Sequence, residues 1–573
     1  MGLLSDLGDL YQHRFEWFGD VKDLDSAIEQ HLEAVVSIPL NSPNLFAAHT
    51  SLGISYFRRF ERFGSMKDID SAVEQQLKAA ASVAPNSVYR PEIFTNLGNS
   101  YQCRFESFGN IQDLESAIKH LLEAIPLIPP NHPNRPAILN SLGTSYKLRF
   151  EWFGKKKDID FAIKQQLGAV ASAPPDGPNR AEYLDSLGLS YLHRFTHFGE
   201  VNDIDSAINH QLDSAALAST LPDSAKRTSS LYNLGLSYKT RYEHFGHVKD
   251  IDTAIERLLD AVASIPLDSS KRPEYLSSLG TSYCGRFSHF LEVKDIDLAI
   301  KHQLEAVTST PIGSANQAVF LHRLGLSYQR RFNHFGEMKD IDSSIKLLLE
   351  AVSSVPVDSP HRPIYVNTLG SSYRDRFKHS GDVKDIDLAI KEQLEAVAST
   401  PIDNPHRSGF LDDFGRSYFQ RFKHSGDVKD IDMAIKQHLE AVASASLANR
   451  PGFINNLGAL YLYRFERFGE VKDIDLALEK LVEGVATTSL DSAVRPIYLH
   501  NLGNTYLNRF KCNQEPTDLE TSISNYRLSS LSLNGLPSTR IMGSLQWAYL
   551  AHKLDDLGWS GYSSFTSSGL DWA

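Results

Sequence analysis

The sequence predicts an all-α protein, an array of about twelve stacked antiparallel helical hairpins. A glycine recurs along the chain, mostly every 45 residues, and each time Tyr follows three residues later and Arg six residues later. A fixed period of about 20 to 50 residues indicates a repeat array. Each unit of such an array buries its apolar face only against its neighbours, so there is no single core. The repeat glycines, from which positions are counted below, are Gly8, Gly53, Gly98, Gly143, Gly188, Gly235, Gly280, Gly325, Gly370, Gly415, Gly458 and Gly503.

The first half of each repeat predicts an amphipathic helix. In the repeat around Gly53 the apolar residues fall at spacings of four, four and three: Leu52, Tyr56, Phe60 and Phe63. On a helix this spacing makes one apolar stripe. Gly64 then stands where a left-handed C-terminal cap favours glycine. Ten of the twelve repeats keep this glycine, and Leu291 and Gln514 replace it in the other two.

The second half predicts a second helix that packs back on the first. Asp68 is placed to cap it, and Asp70 puts a negative charge in its first turn, where the helix dipole favours one. Pro85 ends this helix, and Pro91 suits the first turn of the next unit. Its apolar positions again trace one face: Ile69, Ala72, Val73, Leu77 and Ala80.

These columns resemble the tetratricopeptide repeat. The resemblance rests on Leu-Gly-x-x-Tyr, on Ala72 and Ala79 seven residues apart, and on a proline near the end of the second helix. It implies a right-handed α-solenoid whose first helices line a concave groove. The unit departs from the family by its greater length and by glutamine where the second helix usually carries a bulky aromatic: Gln76, Gln166, Gln211, Gln303 and Gln393.

The longer unit, with its Arg-Phe and Lys-Asp-Ile-Asp segments, resembles the arrays that precede a caspase-like CHAT protease domain. The resemblance covers residues 1–535 and leaves the protease itself absent from the sequence. We expect a terminal helix within residues 536–558. Residues 559–573 are rich in serine and glycine and are expected to be disordered.

Composition and net charge limit the classes of partner that we expect for the chain. The chain has 42% hydrophobic and 22% charged residues, as folded soluble proteins do. Its 58 basic and 70 acidic residues give a net charge of −12. Because phosphate binding needs a basic surface, we expect no nucleic acid partner. With no signal peptide before the first repeat, no apolar run of membrane-spanning length and three scattered cysteines, we expect a cytoplasmic protein without membrane contact.

One arginine column and one acidic column are complete in all twelve repeats. The acid stands at +17, from Asp25 to Glu520. A row of cations for an acidic partner is one interpretation, and a structural ladder of arginine–carboxylate pairs is the other. We favour the ladder, because packing that every repeat shares explains a column identical in every repeat. The arginines at +6 are Arg14, Arg59, Arg104, Arg149, Arg194, Arg241, Arg286, Arg331, Arg376, Arg421, Arg464 and Arg509.

Catalysis, metals and cofactors are not expected. Histidines stand at +9 in six consecutive repeats, but helices 8–10 Å apart cannot bring two of them to one ion. We interpret them as a solvated row near the negative end of the first helix. The three cysteines occupy positions where neighbouring repeats carry ordinary polar residues, and no glycine loop could cradle a phosphate. The histidines are His197, His244, His289, His334, His379 and His424.

Variable columns of the first helix predict where a ligand binds. Positions −3, +1, +4 and +5 lie opposite the apolar stripe, change between repeats, and either encode recognition or are unconstrained surface. Five of the nine predicted inner-face residues are cations, which favours an acidic peptide or protein. The nine are Arg58, Lys147, His193, Lys239, Gln329, Arg330, Arg374, Phe419 and Tyr463.

The sequence therefore predicts a non-catalytic scaffold that binds a protein or peptide in the concave groove of the array. The alternative is the sensor half of a protease whose CHAT domain lies downstream or has been lost.

Overall fold

The structure, a computed structural model, describes residues 2–39, 42, 44–219, 224–311, 313–314, 316–447, 449–532, 535 and 537–556. The predicted disordered segment, 559–573, lies outside the described residues. Across the described ranges all regular structure is helical, with twenty-five α-helices, one 3₁₀ turn at Ile125–Leu127 and no strand. The predicted all-α array of hairpins is thus confirmed, while its right-handed sense stays a prediction.

Twenty-four of these helices alternate as first and second helices of the repeats. The first helices are α1 (Gly2–Phe18), α3 (Leu45–Phe63), α5 (Arg90–Phe108), α7 (Arg135–Phe153), α9 (Arg180–Phe198), α11 (Ser224–Phe245), α13 (Arg272–Phe290), α15 (Gln317–Phe335), α17 (Arg362–Ser380), α19 (Arg407–Ser425), α21 (Arg450–Phe468) and α23 (Arg495–Asn513). The second helices are α2 (Val21–Ser37), α4 (Met66–Ser82), α6 (Ile111–Ala124), α8 (Lys156–Ser172), α10 (Val201–Ser219), α12 (Val248–Ser264), α14 (Val293–Thr308), α16 (Met338–Ser353), α18 (Val383–Ala398), α20 (Val428–Ser444), α22 (Val471–Thr487) and α24 (Pro516–Leu531). A last helix, α25 (Pro537–Asp556), follows them.

The chain forms two compact units. One comprises Met1–Arg194 and Asp205–Pro222, and the other comprises Phe195–Ile204 and Asp223–Ala573. Helices α1–α8 belong wholly to the first unit and α11–α25 wholly to the second. Within each unit, consecutive hairpins share a distributed core rather than one central core. Its most regular column is position +16, where the side chains are almost inaccessible to solvent. Examples are Leu24, Ile69, Leu114, Ile159, Ile251, Ile296, Ile341, Ile386 and Ile431.

The repeat glycine lets the two helices of a hairpin approach closely. A Cβ added to Gly53 would lie 2.9 Å from Cγ of Gln76 and 3.3 Å from the carbonyl oxygen of Ala72. Position +23, where Gln76 stands, is buried against the repeat glycine, and other repeats carry a leucine, a histidine or Tyr526 there.

A left-handed residue ends most first helices. Gly64 has φ of 67° and donates its N–H to the carbonyl of Phe60 at 2.7 Å, as predicted. Leu291 and Gln514 adopt the same conformation, with φ of 58° and 55°. Side chains other than glycine carry strain there, because Cβ approaches the following carbonyl.

The predicted cap of the second helix is wrong by three residues. Ser65 is the residue at the N-cap of α4, and Asp68 lies inside the first turn with 5% of its surface exposed. The sequence favours a capping role for aspartate at +15 because Asp commonly caps helices. Its carboxylate instead turns inward, towards the first helix.

A second arginine position joins consecutive hairpins. Arg272, the first residue of α13, donates from Nη1 to the carbonyls of Val262 and Ile265 at 2.9 and 3.4 Å. A cation at the C-terminal end of α12 satisfies carbonyls that the helix leaves unpaired. Arginines that start other first helices do the same for the preceding helix: Arg135, Arg180, Arg407 and Arg495.

Candidate functional site

The invariant arginine forms the same set of contacts along the array. Arg286 donates from Nε and Nη2 to the two carboxylate oxygens of Asp295 at 2.9 and 2.7 Å, and from Nη1 to Asp252 of the preceding repeat at 3.1 Å. Its guanidinium also lies 5.4 Å from the ring centre of Tyr283. Asp295 is 1% exposed. We call this set of contacts the arginine clamp.

The clamp recurs in both units. Bonds to the aspartate at +15 of the same repeat are made by Arg14, Arg59, Arg104, Arg149, Arg241, Arg286, Arg331, Arg376, Arg421, Arg464 and Arg509. Arg194 bonds to Asp160 of the preceding repeat at 2.8 Å. The acid at +17, predicted as the partner, pairs with the arginine of the following repeat. The clamp therefore joins helices within a hairpin and hairpins to one another.

The histidine column is packed rather than simply solvated. The ring of His334 meets Phe287 of the preceding repeat edge-on, with centroids 5.4 Å apart. His244 meets Phe195 in the same way at 5.0 Å. Burial lowers the pKa of His244 and His289 below the ordinary value. The predicted solvated row is thus partly an aromatic contact between repeats.

Most predicted inner-face cations already have a carboxylate partner within the chain. Lys147 and Lys239 each bond to a glutamate four residues later at 2.8 Å. Arg58 bonds to Glu61 three residues later, also at 2.8 Å. These spacings place opposite charges side by side on a helix. Because the chain supplies its own anions, the charge argument for an acidic ligand is weaker, and the acidic ligand stays a prediction.

The remaining inner-face residues divide by exposure. His193 is half-buried with Nε2 3.1 Å from Glu151, and burial lowers the pKa of this histidine. Arg330 is exposed and donates to Ser288 at 3.4 Å, with no carboxylate partner among the described residues. Gln329 is buried, and so is Arg374. Only part of the predicted surface is therefore open to a ligand.

Two of the variable columns join consecutive first helices. Position −3 of one first helix bonds to position −2 of the next, as His322 does to Thr368 at 2.9 Å and Asn367 to Asp413 at 2.8 Å. Arg374, at +4, donates to the carbonyl of Asp413 at 3.1 Å. We call these bonds between first helices the polar seam. At the positions named, these columns therefore carry bonds between first helices rather than free side chains.

Asp375 is a heavily bonded carboxylate between two first helices. It accepts from Gln329 at 2.7 Å, from Asn333 at 3.2 Å and from Lys378 at 2.9 Å. Burial raises the pKa of Asp375, but the charges of Arg374 and Lys378 and these hydrogen bonds outweigh it, so the pKa is lowered on balance. Asp375 is thus held ionised between α15 and α17.

The first-helix face opens at the end of the array. Phe419 and Tyr463 meet edge-on with ring centroids 4.9 Å apart. Beyond Tyr463 lies a cavity of about 690 Å³ between α21, α23 and α25. We call it the α25 cavity. Its apolar lining includes Leu462, Tyr463, Leu507, Phe510, Tyr549 and Leu550.

Polar groups stand around the same cavity. Asn508 donates to Glu466 at 2.8 Å and accepts from Lys511 at 3.3 Å, so these three groups largely satisfy one another. Asn504 accepts from the hydroxyl of Tyr526 at 2.6 Å. Gln546 is exposed at the cavity. An apolar interior with a few polar groups is the usual character of a ligand site.

Several residues that line the α25 cavity stand in the variable columns of the first helix. Of the nine predicted inner-face residues, only Tyr463 lines it. Ala459 and Asn504 are at +1, and Leu462 and Leu507 are at +4. Periodicity could not find it, because the cavity depends on a small residue at Ala459 and on the placement of α25.

Comparison with protein-family models and with curated proteins finds no match. Among solved structures, human IFIT1 dimer with m7Gppp-AAAA is similar at 16% identity and a TM-score of 0.44, covering 89% of this chain and 94% of that chain. A monomeric IFIT1 mutant with Gppp-AAAA gives 16% and 0.45, covering 89% and 95%. A Podosopora anserina putative kinesin light chain with TPR-like repeats gives 15% and 0.29, covering 38% and 97%.

The exclusion of nucleic acid from the sequence is corrected by these structures. The IFIT1 structures contain oligonucleotides, which runs against that expectation. Net charge describes the whole chain, whereas binding depends on a local surface. In the described part of the chain, no helix is long and apolar enough to cross a bilayer.

Proposed function

We propose that the chain is a non-catalytic interaction scaffold that binds a protein through a peptide segment on its first-helix face. The α25 cavity carries this proposal. It accepts an apolar side chain of the ligand, while Asn504 and Gln546 stand where peptide groups of the ligand can bond. Repeat arrays use extended faces of this kind to bind partners.

The size and lining of the cavity support a side-chain anchor. Its volume of about 690 Å³ lies within the range of roughly 300–1,000 Å³ that ligand pockets occupy. Leu462 on α21 and Leu507 on α23 line it together with the aromatic rings of Tyr463, Phe510 and Tyr549. Such a lining favours an aromatic or long aliphatic side chain.

The environment of the reactive side chains supports a non-enzymatic role. Asp9, His31 and Ser55 resemble a catalytic triad, since His31 lies 3.2 Å from Asp9 and 2.9 Å from Ser55. Ser55, however, has no exposed surface, so no substrate reaches its hydroxyl. Burial raises the pKa of Cys103 to about 12, which suppresses its thiolate. Cys284 is buried.

The alternative from the sequence, a sensor array of a CHAT protease, remains a second hypothesis. It rests on the long unit and its Arg-Phe and Lys-Asp-Ile-Asp segments. Translating the genomic sequence downstream of Ala573 tests it: an α/β segment with a His and a Cys supports the protease. A cytoplasmic location is also part of the proposal, in keeping with three unpaired cysteines.

Peptide display tests the proposed function. We expect selection on the immobilised full chain to enrich peptides with a shared aromatic or leucine position. Leu507→Gln should weaken the affinity of these peptides about 10-fold or more, because a buried apolar side chain contributes about 1.5–3 kcal/mol.

Leu528→Gln is the matched control, since Leu528 is 51% exposed and is not part of the cavity lining. It should leave affinity unchanged. Equal affinities for both variants would reject the cavity as the site. The same titration with an oligoadenylate shows whether the face binds nucleic acid instead.

A further inference from the structure

The second helices carry a row of leucines that the packing of the hairpins leaves exposed. Leucine stands at +24 in ten of the twelve repeats, and each of these ten residues is between 41% and 52% exposed. Exposed apolar residues that are scattered singly need no explanation, whereas a large exposed apolar patch marks an interaction surface. The row therefore indicates a surface that a partner covers.

Five consecutive second helices extend this row to a complete pattern. Each of α14, α16, α18, α20 and α22 has an exposed valine or methionine at +13 and a lysine at +14, followed by a leucine or valine at +24 and a glutamate at +25. In α16 these residues are Met338, Lys339, Leu349 and Glu350. Eleven residues make about three helical turns, so +13 and +24 lie on one side of the helix, as do +14 and +25. We call these four columns of the five helices the second-helix face.

The second-helix face is complementary to itself when two such helices run antiparallel. Antiparallel packing sets the first turn of one helix opposite the last turns of the other, so that +13 meets +24 and the lysine at +14 meets the glutamate at +25. Between them, the aspartate at +17 lies opposite position +21, which is lysine in four of the five helices. Parallel packing would instead place lysine opposite lysine, and juxtaposed like charges oppose association.

The charges of this face remain accessible to a partner. Lys339 has an ion pair with Glu337 at 2.6 Å, but both side chains are more than half exposed. An ion pair between exposed groups contributes only about 0–1 kcal/mol, so it does not hold the lysine away from another carboxylate. Lysine and glutamate at opposite ends of the same helix therefore supply the charge complementarity that a two-fold contact needs.

The size of the face suits a stable dimer. Four columns on five helices amount to twenty residues, and stable interfaces hold about 20–30 residues on each side. Half of the twenty are aliphatic, because the +13 and +24 columns contain only valine, methionine and leucine. The array itself sets the spacing between successive helices, and a second copy has the same spacing.

We infer that a second copy of this chain covers the second-helix face, with the second helices of the two copies antiparallel across a two-fold axis along α14–α22. Such an interface uses the same patch on both copies, which the pattern of this face allows. The proposed ligand site lies elsewhere, between α21, α23 and α25. Dimerisation is therefore tested without a ligand and independently of the proposed function.

Sedimentation velocity of the full chain tests the dimer. Between about 1 and 100 μM the mass should rise from the 64.0 kDa of the monomer towards twice this value, since interfaces of this size bind at micromolar concentration or tighter. Leu349→Glu, Leu394→Glu and Leu439→Glu together should raise the dissociation constant at least 100-fold, because each would bury a carboxylate against an apolar column, at about 1.4 kcal/mol per 10-fold change.

The matched control makes the same three changes outside the face. Leu267, Val357 and Ile402 lie in the connections between hairpins and are 84%, 81% and 82% exposed, more than the leucines at +24. Their combined change to glutamate should leave the dissociation constant unchanged. Circular dichroism confirms that each variant is folded.

Charge reversal tests the antiparallel arrangement and leaves the apolar columns intact. One variant carries Lys339→Glu with Lys429→Glu, and the other carries Glu350→Lys with Glu440→Lys. Each should dimerise about 10-fold more weakly alone, because like charges then meet. An equimolar mixture should form a heterodimer as strong as the unmodified dimer, since every reversed charge meets an opposite one. This comparison also decides the question if the three-leucine variant does not fold.

A full chain that stays monomeric throughout this concentration range would overturn the inference and leave the face to a different protein. A dimer that the three leucine changes and the control changes weaken equally would place the interface elsewhere and overturn it as well. The absence of a heterodimer in the mixture of charge variants would overturn the antiparallel two-fold arrangement on which the inference depends.

Discussion

The arginine clamp and the polar seam hold the same hairpins together in different ways. At the clamp, Arg376 bonds to the buried Asp385 of its own repeat and to Asp342 of the preceding one, with the same chemistry as in other repeats. At the seam, the bonded pair changes between repeats, from His322 with Thr368 to Asn367 with Asp413. The clamp supplies a common geometry, while the seam matches each first helix to its neighbour.

This difference shows why an invariant column and a variable column do not divide simply into scaffold and recognition site. Seam residues vary because a partner on the next helix varies with them. At α21 and α23 the variable columns carry Ala459, Leu462 and Leu507, and there the first-helix face opens into the α25 cavity.

Breaking the clamp should have the largest effect. Arg376→Ala leaves Asp385, which is 4% exposed, without its partner, and removing one member of a buried pair costs about 3–5 kcal/mol. Since a repeat array responds to nearest-neighbour contacts, we expect faster hydrogen exchange around α17 and α18 and a lower urea midpoint. Arg330→Ala, at an exposed arginine, should change both by little. Equal effects would contradict a structural clamp.

Breaking the seam should cost less. Asp375→Ala removes an acceptor of three hydrogen bonds, and leaving buried donors unpaired costs about 1–3 kcal/mol. Urea unfolding should show this loss. Asp342→Ala is the control, because Asp342 is a mostly exposed partner of the clamp, whose ion pair is worth about 0–1 kcal/mol. A larger loss of stability in Asp342→Ala than in Asp375→Ala would contradict the prediction that the buried carboxylate contributes more than the exposed one.

The seam should also respond to pH near neutrality. Burial lowers the pKa of His322 to about 4, against an ordinary value of 6.5. The unfolded chain then binds the proton more readily, so the stability from neutral His322 is present above pH 6.5 and is lost as pH falls towards 4. Between pH 7.5 and 5.5 the loss should be about 1 kcal/mol. In His322→Gln, melting temperatures at the two pH values should differ less; an unchanged difference would exclude His322.

The smallest effect concerns a repeat that departs from the common pattern. Leu291 adopts φ of 58°, a conformation that costs a leucine about 1–2 kcal/mol. Glycine adopts it without this cost, but its greater conformational freedom in the unfolded chain lowers stability by about 0.5–1 kcal/mol. Leu291→Gly should therefore raise stability by about 0.5 kcal/mol in urea unfolding. Gly336→Leu, at the equivalent position of the next repeat, should lower it. A stabilised Gly336→Leu would contradict the strain.

Features that recur in every repeat could be predicted from the sequence. The hairpins, the left-handed residue at Gly64 and the importance of Arg286 all follow from columns that recur in at least ten of the twelve repeats. The role of Asp295 as the partner of Arg286 could not be predicted in this way, because an aspartate at the start of a helix is also typical of an N-cap. Pairing of Lys147 with Glu151 was visible in its four-residue spacing, and it should have weakened the expectation of an acidic ligand.

Features that depend on how helices stack could not be predicted in this way. Seam partners such as His322 and Thr368 stand 46 residues apart and meet only through the packing of α15 on α17. The α25 cavity occurs once, so no repetition marks it. Its lining depends on Ala459 and on the position that α24 gives to α25.

Hydrogen exchange measured with a bound ligand tests the central claim most directly, namely that the clamp builds the array and the α25 cavity binds. The full chain is compared with and without a display-selected peptide at saturation. We predict that added protection is concentrated in α21, α23 and α25. Protection centred on the clamp side, in α22 and α24, or in the hairpins before α19, would contradict the account.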